Sequence, residues 1–327
     1  MEIMKIKKIA VLTSGGDSAG MNPCIRSVVR TALYNGVEVD AVYRGYDGLI
    51  QNDIKPMDAS SVSGIINRGG TILYSARSER FLTAGGRKEA YKNLRERNVD
   101  ALIVIGGDGT YTGAKIFQEE FNVPVIGLPG TIDNDIAGTE YTIGYDTALN
   151  VAMEAIDKIR DTATSHGRLF LVEVMGRHAG YLALEVGIAS GAEATLIPEQ
   201  KTDIDAVVSG LKTGLERGKR SSIVVVAEGD DAGGAFEIAE QIEGKTGYPM
   251  RVTVLGHLQR GGSPTAKERT MASRLGYFAV KGLLKGKQGT AVGMMNGRIT
   301  YTSLGEAVKD IPKIDKEDLE MVKALSI

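Results

Sequence analysis

The fold is decided by the stretch Ala101-Leu102-Ile103-Val104-Ile105-Gly106-Gly107-Asp108-Gly109-Thr110. Five apolar residues, rich in β-branched side chains, suit a strand buried on both faces of a parallel sheet. A glycine turn carrying a carboxylate follows at once. The same design of apolar run and turn recurs in both directions along the chain. Upstream, Ile9–Thr13 and Val37–Tyr43 read as strands. Downstream, Val123–Gly127, Leu169–Val174, Ala194–Ile197, Ile223–Ala227 and Ala291–Met295 do so. Between them the spacing is helical. Val151, Ala155, Ile156 and Ile159 line one face of a segment whose other face carries Glu154, Asp157, Lys158 and Asp161. Repeated β-α order predicts an α/β protein, doubly wound, with largely parallel sheets.

Composition bounds the rest. At roughly 150 residues per domain, 327 residues predict two domains. The chain has 42 glycines, nearly twice the ~7% average, which suits many tight strand-to-helix turns. Thirty-nine Lys and Arg against 41 Asp and Glu leave a net charge of -2. No global basic field exists to hold a nucleic acid, so a phosphate ligand must meet local positive charge. One cysteine, Cys24, and three scattered histidines exclude an internal disulfide and disfavour a zinc site. No apolar run approaches the ~20 residues of a membrane helix. The basic start at Met1–Lys8 leads into an apolar run too short for a signal peptide. The expected location is the cytoplasm. No linker marks a domain boundary; the nearest candidate is the Gly-Tyr-Asp around Tyr145.

Three strand ends feed glycine turns with carboxylates: Thr13–Asn22, Ile105–Thr110 and Leu128–Asp135. In open parallel sheets, ligands bind beyond the carboxyl ends of the strands. Glycines let backbone amides approach phosphate oxygens, and the next helix N-terminus adds a favourable dipole. One such turn is as readily a plain connector; three with acids argue for a site. Gly107, Gly109 and Gly113 also fit a loose dinucleotide pattern. Asp108 would repel a bare pyrophosphate, so it points to Mg²⁺ with a polyphosphate, or else to a helix cap. Asp133 and Asp135, two apart after Pro129-Gly130, suit a general base beside an orienting group, or an Asx-turn. Ala239 to Thr246 matches a relaxed P-loop, but helical spacing precedes it and Gly244 reads as a helix C-cap. Met175-Gly176-Arg177, Glu228-Gly229 and the run from His257 to Gly262 end further strands or turns.

Together these motifs resemble the bacterial ATP-dependent 6-phosphofructokinases over nearly the whole chain. The resemblance runs from Leu12–Asp17 through Ile66–Thr71, the turns above, Arg160–His166 and Val172–Arg177 to Gly256–Pro264. It implies transfer of the ATP γ-phosphate to the 1-hydroxyl of fructose 6-phosphate, the committed step of glycolysis, with Mg²⁺ as cofactor. Asp133 would be the base, supported by Thr131 and Asp135, with Arg177 in the catalytic set. Asp108 would serve Mg²⁺. Gly16, Arg77, Gly107, Asp108, Gly109 and Thr110 would line ATP. Thr131, Ile132, Asp133, Asp135, Met175, Gly176, Arg177, Glu228, His257, Leu258, Gln259 and Arg260 would hold the sugar phosphate. Arg168 and Arg251 would reach it from a neighbouring subunit, implying a homo-oligomer, by family a tetramer. An ADP or phosphoenolpyruvate effector would meet Arg26, Arg30, Arg160, Gly191, Glu193, Arg217 and Lys219.

The implied domains are 1–144 plus 257–307, nucleotide-binding, and 145–256 plus 308–327, sugar-phosphate-binding, with the active site in the cleft. The chain departs from the family at Ser78, where an aromatic beside the adenine is common. Ala59 and Gly64 stand where many members carry an arginine and an aspartate of the effector pocket. Pyrophosphate-dependent relatives typically carry Asp at the position of Gly109 and Lys at that of Gly130, so both glycines favour ATP. The NAD kinase and diacylglycerol kinase group shares only Gly106–Thr110. A non-catalytic regulatory subunit would have no reason to keep Asp108, Asp133 and Arg177 together.

Overall fold

The computed structural model describes residues 6–219, 221–309 and 313–325. In chain order the strands and helices are β1 (Lys8–Thr13), α1 (Met21–Tyr34), β2 (Glu38–Val42), α2 (Gly45–Gln51), β3 (Ile54–Met57), α3 (Ala84–Glu96), β4 (Ala101–Gly106) and α4 (Asp108–Phe121). Then come β5 (Val125–Thr131), β6 (Ile143–Gly144), α5 (Tyr145–His166), β7 (Leu169–Val174), α6 (Tyr181–Ser190), β8 (Ala194–Leu196), α7 (Ile204–Glu216), β9 (Ser222–Ala227) and α8 (Ala235–Thr246). Last are β10 (Met250–Val254), α9 (Ala266–Leu284), β11 (Thr290–Met295), β12 (Arg298–Ser303), α10 (Leu304–Ala307) and α11 (Lys316–Leu325). The chain divides into two compact units, Met1–Thr147 with Arg260–Pro312, and Ala148–Gln259 with Lys313–Ile327.

Unit 1 holds a sheet in the order β12-β11-β5-β4-β1-β2-β3, with β6 beside β5. Only the outer pairs β2–β3 and β11–β12 are antiparallel. The central strands bury both faces, as their continuous apolar runs require. Ile9, Val11, Ile103 and Ile105 pack against α1 and α9 on one face. Ala10, Leu12, Leu102 and Val104 pack against α2, α3, α4 and α10 on the other. Each such fully buried Leu or Ile stabilises the fold by about 1.5–3 kcal/mol.

Unit 2 repeats the scheme around a parallel sheet in the order β10-β7-β9-β8. Phe170, Val172, Val174, Ile223 and Val225 face α5 and α6. Leu169, Leu171, Val224 and Val226 face α7 and α8. All eight expected strands are present. The four that escaped the sequence reading are β3, β6, β10 and β12. Three of these are sheet edges, half-solvated and therefore polar at alternate positions; β3 also carries Pro56, which an edge tolerates. The fourth, β6, has two residues. The P-loop-like match lies inside α8. The C-cap of that helix is Gly247, with φ 73° and its N–H on the Glu243 carbonyl, not Gly244. Gly244 sits within the helix, where glycine is tolerated at a cost of about 1 kcal/mol. Among the described residues, no helix is long and apolar enough to cross a membrane.

Candidate active site

In unit 1 the three glycine turns leave adjacent parallel strands, β1, β4 and β5. Thr13 pairs with Ile105 and Gly106 with Pro129, so the turns begin level with one another. Backbone and hydroxyl groups stitch them together. The Ser14 N–H donates to the Ile105 carbonyl at 3.0 Å, and the Thr110 Oγ1 to the Ser14 carbonyl at 3.2 Å. The Ile66–Thr71 motif continues across the first turn. Asn22 Nδ2 donates to the carbonyls of Arg68 and Gly69, and Thr13 Oγ1 donates to the Tyr74 carbonyl at 2.7 Å.

Helix α4 starts directly after Gly107, and its N-cap makes no side-chain hydrogen bond. Asp108 is therefore the first helical residue and not a cap. The first amides of such a helix lack intrahelical partners and carry the positive end of the dipole. Asp108 and Gly109 are exposed here, while Thr110 is buried. A Cβ on Gly109 would meet nothing within 4 Å. Gly130 is different. Its Cβ would lie 2.9 Å from Ile105 Cγ2 and Met21 Cε. A side chain at 130 would therefore crowd Ile105, Met21 and the Gly106 amide nitrogen, whereas one at 109 would face open space.

Asp133 is buried, 4% exposed, although carboxylates mostly face water. Its N–H donates to Thr131 Oγ1 at 3.1 Å, so the threonine hydroxyl closes this turn. Asn134 takes the left-handed conformation, φ 54°. Its Oδ1 accepts the Thr142 N–H at 2.9 Å and its Nδ2 donates to the Glu140 carbonyl at 3.0 Å. Thr142 donates its hydroxyl to the Thr131 carbonyl at 2.6 Å. Asn134 and Thr142 thus pin the loop that carries the buried acid; the left-handed tolerance of asparagine was the available signal. Ile132 is buried and Asp135 half-buried. Arg77 is exposed, and the Ser78 hydroxyl donates to Asp47 at 2.6 Å. Arg260 lies in unit 1, on the first turn. Its Nη1 donates to the Asp17 carbonyl at 3.1 Å, and a Cβ on Gly16 would stand 2.5 Å from it.

In unit 2 the loops after β7, β9 and β10 also leave adjacent strands. Glu228 Oε1 accepts the Arg177 N–H at 2.8 Å and the Gly176 N–H at 3.4 Å. Arg177 is held in the left-handed conformation, φ 55°. Gly229 makes room for this loop, since a Cβ there would fall 1.9 Å from the Arg177 carbonyl oxygen. Gln259, 1% exposed, accepts the Met175 N–H at 2.8 Å, while His257 and Leu258 are exposed. Met175, Gly176, Arg177, Glu228 and Gln259 are thus brought together.

Arg168 and Arg251 are not among them. Arg168 precedes β7, and Arg251 pairs with Phe170 at the amino end of the same strand. At about 3.3 Å per residue, the length of β7 separates them from Met175 by roughly 20 Å.

The residues expected to meet an effector fall in both units. Arg26 and Arg30 lie one turn apart on α1. Burial, together with the Arg30 charge, lowers the pKa of the Arg26 guanidinium. In unit 2, Arg160 donates to the carbonyls of Ser190 and Gly191, the C-terminal end of α6. Glu193 pairs with Lys219 at 2.8 Å, and Arg217 is exposed at the end of α7.

Turns over level strand ends, in two doubly wound units, define the class as an α/β protein whose candidate chemistry lies at strand carboxyl ends. The chain belongs to the phosphofructokinase family, whose sequence profile, described as Phosphofructokinase, matches residues 8–283. It is 52% identical over 323 residues to ATP-dependent 6-phosphofructokinase 2 of Bacteroides thetaiotaomicron, covering 98% of this chain and 99% of that one. ATP-dependent 6-phosphofructokinase 1 of Thermus thermophilus is also 52% identical, over 98% of this chain and all of its own, 100%. Among solved structures, phosphofructokinase from Saccharomyces cerevisiae matches with a TM-score of 0.89 and 37% identity over 98% of this chain. The present chain spans 48% of that yeast polypeptide.

Proposed function

We propose that this chain transfers the γ-phosphoryl group of MgATP to the 1-hydroxyl of fructose 6-phosphate, giving fructose 1,6-bisphosphate and ADP in the cytoplasm. The observation that carries this reading is the level placement of the α4 start and the buried Asp133 on neighbouring strands β4 and β5. Such transfer needs positioning and charge neutralisation more than covalent chemistry. Gly16, Arg77, Gly107, Gly109 and Thr110 hold the nucleotide, with α4 amides toward its phosphates. Asp108 supplies one carboxylate to Mg²⁺. Mg²⁺ held there with the ATP phosphates would neutralise the charge that develops on transfer. Asp133 accepts the hydroxyl proton, with Thr131 fixing its backbone and Asp135 nearby in the same loop.

Met175, Gly176, Arg177, Glu228, His257, Leu258, Gln259 and Arg260 hold the sugar phosphate. Arg168 and Arg251, at the far ends of their strands, serve the site of a neighbouring copy in a homotetramer. An ADP or phosphoenolpyruvate effector binds weakly, because Ala59 and Gly64 stand where many members of the family carry an arginine and an aspartate of that pocket. The test is formation of fructose 1,6-bisphosphate, coupled to an indicator reaction, with fructose 6-phosphate and either ATP or pyrophosphate. Turnover with ATP and little with pyrophosphate is expected. The reverse would overturn the choice of donor, and binding of ligands without turnover would point to a regulatory subunit.

A further inference from the structure

The second glycine turn leans on a side chain that no motif marks. Tyr46, the second residue of α2, is 5% exposed, and its hydroxyl donates to the Thr110 carbonyl at 2.6 Å. Thr110 is the third residue of α4, so its carbonyl already points along the helix at the amide four residues on. The tyrosine hydroxyl is thus a second, sideways donor that ties the first turn of α4 to another element. Because Thr110 also donates to Ser14, the tie extends from α2 through the second glycine turn to the first.

The ring of Tyr46 is fixed from behind. It stacks on Phe81, with centroids 3.9 Å apart and planes within 7°. Arg87, 8% exposed, donates to the carbonyls of Phe81 at 3.0 Å and Leu82 at 2.7 Å. Glu120 grips the same guanidinium through two bonds of 2.7 and 2.6 Å. Gly113, four residues beyond Gly109 on α4, admits the rings: a Cβ there would lie 3.2 Å from Tyr46 and 3.3 Å from Phe81. Stacking, the bidentate pair and the close helix approach all hold one hydroxyl against one carbonyl of the turn.

We propose that Tyr46 is a positioning residue for the nucleotide: it fixes the Gly107–Thr110 backbone before the ligand arrives. The proposal rests on the reading of that turn as nucleotide-binding. A turn held in its bound shape loses less conformational freedom on binding, so the tether shows as affinity. Tyr46→Phe keeps the ring and its stack and removes only the hydroxyl. Loss of one such bond should raise KM for MgATP, and the calorimetric Kd for MgADP, about three- to tenfold. KM for fructose 6-phosphate should stay within about twofold, since that ligand does not meet the turn. Unchanged nucleotide constants, or equal rises in both KM values with a lowered Tm, would overturn the proposal and leave Tyr46 a core residue. If the wild type turns over with ATP, either result fails the tether alone. A wild type that binds no MgADP would overturn both the tether and the nucleotide reading.

Discussion

Gly229→Ala probes how strictly unit 2 builds the loop proposed to hold the sugar phosphate. The methyl would stand 1.9 Å from the Arg177 carbonyl oxygen and 3.0 Å from the Arg177 carbonyl carbon. Real Cβ contacts stay beyond 3.0 Å, and both obstacles are backbone, so the loop must retreat by about 1 Å. The retreat lengthens the bond from the Arg177 N–H to Glu228, now 2.8 Å, which helps hold Arg177 in its left-handed conformation. Overpacking of this kind costs about 1–3 kcal/mol of stability. The functional cost should be larger, because a misplacement of about 1 Å in a positioning group can cost about 10²-fold in rate. We therefore expect kcat/KM for fructose 6-phosphate to fall about 10- to 100-fold, with KM for ATP within about twofold. The assay is a fructose 6-phosphate titration at saturating ATP, with Tm from calorimetry to confirm a folded protein. Gly229→Ala with kcat/KM for the sugar phosphate within threefold of wild type would refute the assignment of this loop.

Three further outcomes follow from the geometry. Asp133→Asn should lower kcat at least ~10²-fold while fructose 6-phosphate still binds, and near wild-type kcat would remove Asp133 as the base. Arg251→Ala and Asp133→Asn proteins, each impaired alone, should regain activity when refolded together, because about a quarter of randomly mixed shared sites carry both native residues. A mixture no more active than its components would place Arg251 outside the site. The third outcome concerns Glu268. This carboxylate is fully buried at the start of α9 and accepts from Gly144 N–H, Thr147 N–H and Thr147 Oγ1. Burial raises its pKa above the ordinary 4.5. The folded state then holds its proton more tightly than the unfolded chain does, so this group's contribution to stability falls as pH rises above about 4.5. Glu268→Gln should therefore gain Tm relative to wild type as pH is raised from 4 toward 7; a constant difference would contradict this.

The central strands were legible because burial on both faces writes them as unbroken apolar runs. The edges β3, β10 and β12 were not, since a strand with one solvated side looks like a loop. At the candidate site the glycine turns and their acids were visible as motifs. What holds them was not. Tyr46 bonds a backbone carbonyl 64 residues away, Arg87 joins Phe81 and Leu82 to Glu120, and Asn134 bridges Glu140 and Thr142; no motif encodes such partners. Gly109 and Gly130 looked equivalent in sequence, yet one faces open space and the other the core, a difference that only packing reveals.

The split architecture also dictates an order of events during synthesis. The apolar face of α1, including Met21, Ile25 and Val28, is covered by α9. Ser27 on α1 meets Ser273 on α9 across 246 residues of chain. The four strands of unit 2 lie within residues 169–254, so its sheet is complete before α9 has left the ribosome. The sheet of unit 1, begun first, is completed last, because β11 must still insert beside β5. Contacts so distant close slowly and leave apolar surface uncovered meanwhile. The nascent chain is most prone to aggregate, and most in need of a chaperone, while its first helix waits for its ninth.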